Sequence, residues 1–275
     1  MVIGGLTTDF SAELVDLDSD ATCQQPANLT DFMPGPVATL IEGELIACAR
    51  SFCLTYDLAE DVWEHKAELS SDQLYVYGSA DIVMEGKWYI LGGSDSDKSL
   101  VYSQGGSFAS GEKLPYSPDR ACAVRVNSTH FVFLGGDPNF GKAYLVEPEG
   151  WTWTPLPESV YPRQSSACAL VGNKVYVVGG SEFFAAQSVE VLNLDSLEWS
   201  FGPMIPGAGS IQGASVVQEE SGFLVVGGAD ISFFEKDTTY EFNGEDRTWR
   251  LMDKRLGVER SYAAVVKVPK DMGQC

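Results

Sequence analysis

The sequence predicts an all-β protein, a six-bladed β-propeller in a single domain over residues 1–275, with four antiparallel strands in each blade. Three observations lead there. An apolar run ending in Gly-Gly returns at a nearly constant step. Two other phrases, one before it and one after, return with the same step. The two ends of the chain hold complementary parts of one unit.

The central phrase reads MVIGG (1–5), YILGG (89–93), FVFLGG (131–136), VYVVGG (175–180) and FLVVGG (223–228). A degenerate copy, ELIACAR (44–50), has Ala47 to Ala49 in place of the glycines. Taking the first glycine of each pair, and Cys48 in the degenerate copy, the positions are 4, 48, 92, 135, 179 and 227. The steps of 44, 44, 43, 44 and 48 do not arise by chance. We call this run strand B. Before it comes a short run of small and β-branched residues, strand A: VATLI (37–41), SADIV (79–83), ACAV (121–124), ACAL (167–170), GASVV (213–217) and YAAVV (262–266). Tight turns such as Glu85-Gly86-Lys87 and Gly172-Asn173-Lys174 join A to B, a hairpin signal. After it comes an alternating strand C, an acidic or glycine turn, and usually a tryptophan that opens strand D, as in VEVLNLDSLEW (189–199) and TYEFNGEDRTW (239–249).

The residue types suit a propeller. Small side chains fit strand A, nearest the narrow channel. The glycines let strand B turn closely under its neighbours. The tryptophan fills the wide gap between blades. The first unit lacks a strand A, and residues 259–268 are a strand A with no B after it. Together they complete blade 1, from residues 1–30 and 256–268, with blades 2–6 over about 31–255. A ring closed this way leaves no long free edge.

Composition narrows the function. With 18 basic and 39 acidic side chains the formal charge is −21, which disfavours nucleic acid and anionic membrane surfaces. No apolar run approaches the roughly 18 residues of a membrane span, and no signal peptide is visible, since Met1 leads almost at once into a strand. The two histidines, His65 and His130, fall on or near an outer strand and at an A–B turn. Such positions do not suit a metal centre or a Ser-His nucleophile. No catalytic residue, metal or cofactor is expected.

The Gly-Gly pair, the aromatic strand C and the tryptophan at a fixed distance resemble the kelch repeat over nearly the whole chain. Arginines precede three strand A segments, Arg120, Arg163 and Arg260, as they often do in kelch repeats. The resemblance implies one of several roles: a binding module that is secreted or at the cell surface, an actin-binding module, the substrate receptor of an intracellular ubiquitin-ligase adaptor, or, in a few cases, an enzyme. An enzyme would act on a sugar or small acidic ligand at the channel mouth, where Arg163, Arg260, Glu182 and Asp137 could converge.

Six cysteines bear on the compartment. Cys48 and Cys53 end strand B and begin strand C, facing positions from which a hairpin can form a disulfide; the alternative is two free thiols. Similarity to secreted invertebrate kelch proteins in this unit adds weight to the bond. Cys23 and Cys275 could tie the two ends of blade 1. Cys122 and Cys168 occupy matching places in successive strand A runs and read first as small buried residues, with a bond as the second reading. Sequons at Asn28 and Asn127, with an even cysteine count, favour an extracellular, glycosylated protein.

Strand alternation puts the B–C and D–A loops on one face. Those loops carry Arg50, Arg120, Arg163, Arg260, Phe140, Tyr161, Phe183, Phe184, Phe233 and Phe234. Exposed aromatics with arginine are the material of binding hot spots. The sequence therefore reads as a non-catalytic, secreted, monomeric propeller that binds another protein or a glycan through this face.

Overall fold

Six antiparallel sheets stand around a central channel in a computed structural model that describes residues 1–6, 10–17, 23–69, 75–94, 96–103 and 106–269. Blades 2–6 each pair four consecutive strands in chain order, as in Ala167–Val171, Lys174–Val178, Val189–Asn193 and Glu198–Phe201 of blade 5. Blade 1 joins the two ends of the chain: Val2 faces Val265 on one side and Glu13 on the other. Its outer edge is made by a side chain. The Gln25 amide accepts from Leu14 N (3.1 Å) and donates to Leu14 O (3.1 Å), as a fourth strand would.

The glycine pair has a specific task. Its second N–H donates to a carbonyl four residues before strand A of the next blade: Gly93 to Pro118 (2.8 Å), Gly136 to Arg163 (2.9 Å), Gly180 to Ile211 (2.8 Å) and Gly228 to Arg260 (2.7 Å). To allow this approach the first glycine lies at positive φ against the same carbonyl. A Cβ at Gly135 would sit 2.5 Å from Arg163 O. In the degenerate blade 2 the ladder continues to Ala49 facing Phe52, and Arg50 (φ 54°) opens a tight turn to strand C. The residues that replace the pair are thus Ala49 and Arg50, one place later than the reading of Ala47 to Ala49.

A second set of links rings the channel. Gly35, Gly78, Arg120, Ser165, Gly213 and Tyr262 each stand two residues before a strand A, and all have φ between 53° and 76°. Arg120 N donates to Gly78 O (2.8 Å), Ser165 N to Arg120 O (2.9 Å), Gly213 N to Ser165 O (2.8 Å) and Tyr262 N to Gly213 O (2.7 Å).

Packing follows the same period. Six apolar clusters each join two neighbouring blades, as where Tyr176 and Val178 of blade 5 meet Phe223, Val225 and Phe242 of blade 6. Strand B is covered on both sides, which is why it reads as an unbroken apolar run. The strand D tryptophans span the gap as expected: Trp63, Trp199 and Trp249 donate Nε1–H to Ala27 O (3.1 Å), Pro157 O (2.8 Å) and Pro203 O (2.8 Å) of the preceding connection.

Cys48 and Cys53 face each other, 4.0 Å apart at Cα, in a disulfide. Cys122 and Cys168, read first as plain buried residues, are also bonded, with Cα atoms 6.1 Å apart. The innermost strands of blades 4 and 5 converge on the channel and bring the two sulfurs together. This staple closes the longer loop, with a sequence separation of 46 against 5. In the chain-entropy model it contributes about 4 kcal/mol, against about 2 for the hairpin bond. Cys23 is buried; the proposed Cys23–Cys275 pairing lies outside the described residues.

Candidate functional site

Most exposed large apolar side chains lie on the face of the B–C and D–A loops. The four paired phenylalanines dominate it: Phe183 is 59 % exposed, Phe184 68 %, Phe233 66 % and Phe234 71 %. Ile231 and Met204 are exposed beside them. In blade 5 the rings form one ridge. Tyr161 stacks on Phe184 with centroids 5.9 Å apart and touches Phe201 at 5.6 Å, and Phe183 meets Phe184 edge-on at 5.4 Å.

Local structure forces these rings outward. Residues Phe183–Ala186 form a single helical turn in which Ala185 and Ala186 are buried and both phenylalanines face solvent. A folding unit would normally bury the large pair and expose the small one. In blade 6, Asp230 organises the loop. Its carboxylate accepts from Ser232 N (2.8 Å) and Phe234 N (3.1 Å), and its backbone exchanges bonds with Phe233 and Phe234. Phe233 sits at φ 63°, a region that bulky residues rarely adopt. The two loops make one surface. Ile211 N donates to Ala186 O (2.8 Å), and Ile231 N donates to Ser210 Oγ (2.9 Å).

Two of the arginines assigned to the binding face do not reach it. Arg163 is fully buried. Its Nε and Nη2 lie 2.8 and 2.7 Å from Glu190 Oε2, and Nη1 donates to Gly179 O (2.5 Å). Burial lowers its pKa against the pull of Glu190. Arg260 is equally enclosed, with Nε 3.0 Å from Glu13 Oε1 and Nη1 2.8 Å from Gly4 O. The sequence reading sends both to a partner, whereas each is buried against a carboxylate inside the fold, which offsets the cost of enclosing a guanidinium. Their role is architectural. Glu190 also accepts from Val160 N (2.7 Å) and Tyr161 N (3.3 Å), and Arg163 Nη2 donates to Ser188 Oγ (2.7 Å). The pair thus holds both loops that carry the blade 5 ridge.

The remaining positions are intermediate. Arg120 is half-buried at the channel mouth and pairs with Asp119 (3.2 Å). Its place in the repeat is two residues later than that of Arg163 and Arg260; their counterpart here is Pro118. Arg50 lies over the Phe32 ring at 4.5 Å. Phe140 is half-buried, and its carbonyl accepts from Arg163 N (2.7 Å). Asn28 and Asn127 are exposed. Asn127 lies at the A–B turn, on the face opposite the ridge, where its side-chain oxygen accepts from Thr129 N and His130 N.

The channel encloses about 430 Å³ and is lined mainly by small and apolar side chains of strand A. Asp137 and Glu182 are exposed, and Arg163 and Arg260 are engaged internally, so the expected Arg and Glu convergence does not form there. His65 pairs with Glu68 (2.9 Å) on strand D of blade 2, while His130 bonds Thr129 on the turn of blade 4. Among the described residues no cluster of His, Cys, Asp or Glu could hold a metal ion, and no helix is long and apolar enough to cross a membrane. In comparison with known protein families, residues 162–203 match the model described as the kelch motif. That stretch runs from just before strand A through strand D of blade 5.

Proposed function

We propose that this chain, a kelch-repeat β-propeller, is an extracellular, non-catalytic module that holds a protein partner on its B–C and D–A loops. The exposure of Phe183, Phe184, Phe233 and Phe234 on loops tied to buried groups carries this reading. Aromatic anchors on a fixed support lose little freedom when they dock. Tyr161 and Phe140 would flank the contact; Arg50 stands over Phe32 in blade 2 and Arg120 is paired with Asp119, so neither is part of the ridge. The disulfides Cys48–Cys53 and Cys122–Cys168 and the exposed sequons at Asn28 and Asn127 support an oxidising, glycosylating compartment. A catalytic reading at the mouth has lost the two arginines it relied on.

The test places a photo-crosslinking amino acid at Phe184, or at Glu85 on the opposite face, in chain secreted from eukaryotic cells. Protein adducts are expected from position 184 and not from 85. Equal yields would overturn the assignment of the face. Adducts or array hits confined to oligosaccharides would replace the protein partner with a glycan. Non-reducing peptide mapping of the same material should find Cys48–Cys53 and Cys122–Cys168 linked; four free thiols at these positions would exclude the extracellular reading.

A further inference from the structure

The ridge on blades 5 and 6 also specifies the charge of what it holds. The four loops that build it are residues 158–161, 182–187, 204–212 and 230–236. Their charged side chains are Glu158, Glu182, Asp230, Glu235 and Lys236. The one base is turned inward. Lys236 Nζ donates to Ala208 O, and burial lowers its pKa. Two of the acids are spent within the fold, Asp230 on its own loop and Glu235 on Ser261 N (2.9 Å) and Oγ (2.6 Å). Glu158 and Glu182 are exposed, and neither forms an ion pair among the described residues. The charge left at the edge of the aromatic ridge is therefore negative, and the protein behind it carries −21.

Resting on the reading of this face as a protein-binding one, we propose that the occupant is a segment of another protein that places apolar or aromatic anchors among Phe183, Phe184, Phe233 and Phe234 and surrounds them with lysine or arginine. The apolar ridge decides where the partner sits. The acidic rim and the field of the whole chain decide its sign and speed its arrival. A second copy of this chain brings the same negative charge to the contact and is repelled. An anionic bilayer is repelled for the same reason.

Two synthetic peptides test this. Both are amphipathic helices with identical Leu and Trp positions, one with a lysine polar face and one with a glutamate polar face. Binding to the intact chain is followed by fluorescence anisotropy at 50 and 300 mM salt. The lysine peptide should bind, and bind more weakly at the higher salt. Phe183→Ser/Phe184→Ser and Phe233→Ser/Phe234→Ser should each weaken it at least about 10-fold. These side chains are exposed, so the variants should fold as the parent does, which circular dichroism checks. Glu158→Lys/Glu182→Lys should weaken it several-fold and leave the glutamate peptide no longer disfavoured. The proposal falls if the glutamate peptide binds equally well. It also falls if the lysine peptide is indifferent to the phenylalanine variants, which would be plain charge attraction. Ridge-dependent binding to phosphatidylcholine vesicles, or ridge-dependent dimers in sedimentation equilibrium, would identify a different occupant and overturn it. A crosslinked partner that depends on the ridge but is acidic would overturn this inference and leave the binding reading intact. The loss of all ridge-dependent binding would overturn both.

Discussion

The two faces of the propeller are assembled by different means. On the face of the A–B and C–D turns, neighbouring blades meet through side chains: Gln218 reaches the backbone of Leu170, and Lys267 pairs with Glu219. On the face of the B–C and D–A loops the backbone itself passes from blade to blade, through the second glycine of each pair and through the ring before strand A. Two enclosed Arg–Glu pairs add to it. The first face is polar and acidic; the second bears the aromatic ridge. A loop can hold large apolar groups in water only if something else prevents them from folding back. The stitched backbone and the buried ion pairs provide that restraint.

Removing one carboxylate from each face gives the largest contrast. Glu190→Ala leaves Arg163 buried without its partner and is expected to lower stability by about 3–5 kcal/mol. Glu219→Ala breaks an exposed pair and should cost less than about 1 kcal/mol. Denaturant unfolding of both variants measures this, and similar losses would erase the distinction between the faces. Two glycines sharpen it further. At Gly179 (φ 67°) a Cβ would run into Ile211 O, whereas at Gly172 (φ 59°), on an A–B turn, nothing lies within 4 Å. Gly172→Ala bears only the conformational cost of about 1 kcal/mol. Gly179→Ala also forces two blades apart and should cost about 3 kcal/mol or more by thermal melting; equal shifts would mean that the inter-blade link is slack.

The smallest effect concerns the channel between the faces. Asp81 lines it and accepts from Trp88 Nε1 (2.8 Å), and burial pushes its carboxyl up to about 6 from an ordinary 3.8. The folded state therefore binds this proton more tightly than the unfolded chain does. The ionised form is destabilising: the cost sets in as pH rises from about 4 to about 6, stays constant above, and is absent below both values. Allowing for partial exposure, Asp81→Asn should stabilise by about 1 kcal/mol at pH 7.5 and by nothing near pH 3.5. Melting curves at the two pH values decide it, and a gain that ignored pH would place Asp81 with the solvated acids of the outer face.

The ring of blades was legible because each repeated phrase answers to one physical demand made six times. The aromatic ridge was legible too, since Phe-Phe in two successive loops contradicts what loops ordinarily contain. The burial of two arginines also has a signal in the sequence, though a fainter one. Arg163 and Arg260 stand four residues before strand A. Only in those two blades does strand C carry an acid opposite the strand B residue that stands two before the glycine pair, Glu190 and Glu13, where the other blades have Leu54, Leu100, Tyr144 and Tyr240. The joint appearance of Arg and Glu marks a buried pair. Arg120 lacks such an acid and remains at the mouth. Cys122 and Cys168 were underestimated for a geometric reason. Their separation depends on how closely the innermost strands converge, which the spacing of residues along the chain does not report.

Closure of blade 1 by Val2 and Val265 has a consequence for the order in which the molecule assembles. Every other blade can form from contiguous chain, so its ladder closes only short loops. The pairing of the first strand with the last spans 263 residues, and in an unstructured chain it would bear the greatest entropic cost of any contact. Once the intervening five blades have docked, that span is no longer coil but a curved, nearly rigid arc whose ends already approach each other. Closure thus falls late in folding, as a single event that converts an open arc into a ring. In the native state the same seam, only two residue pairs long, is where the ring would first part.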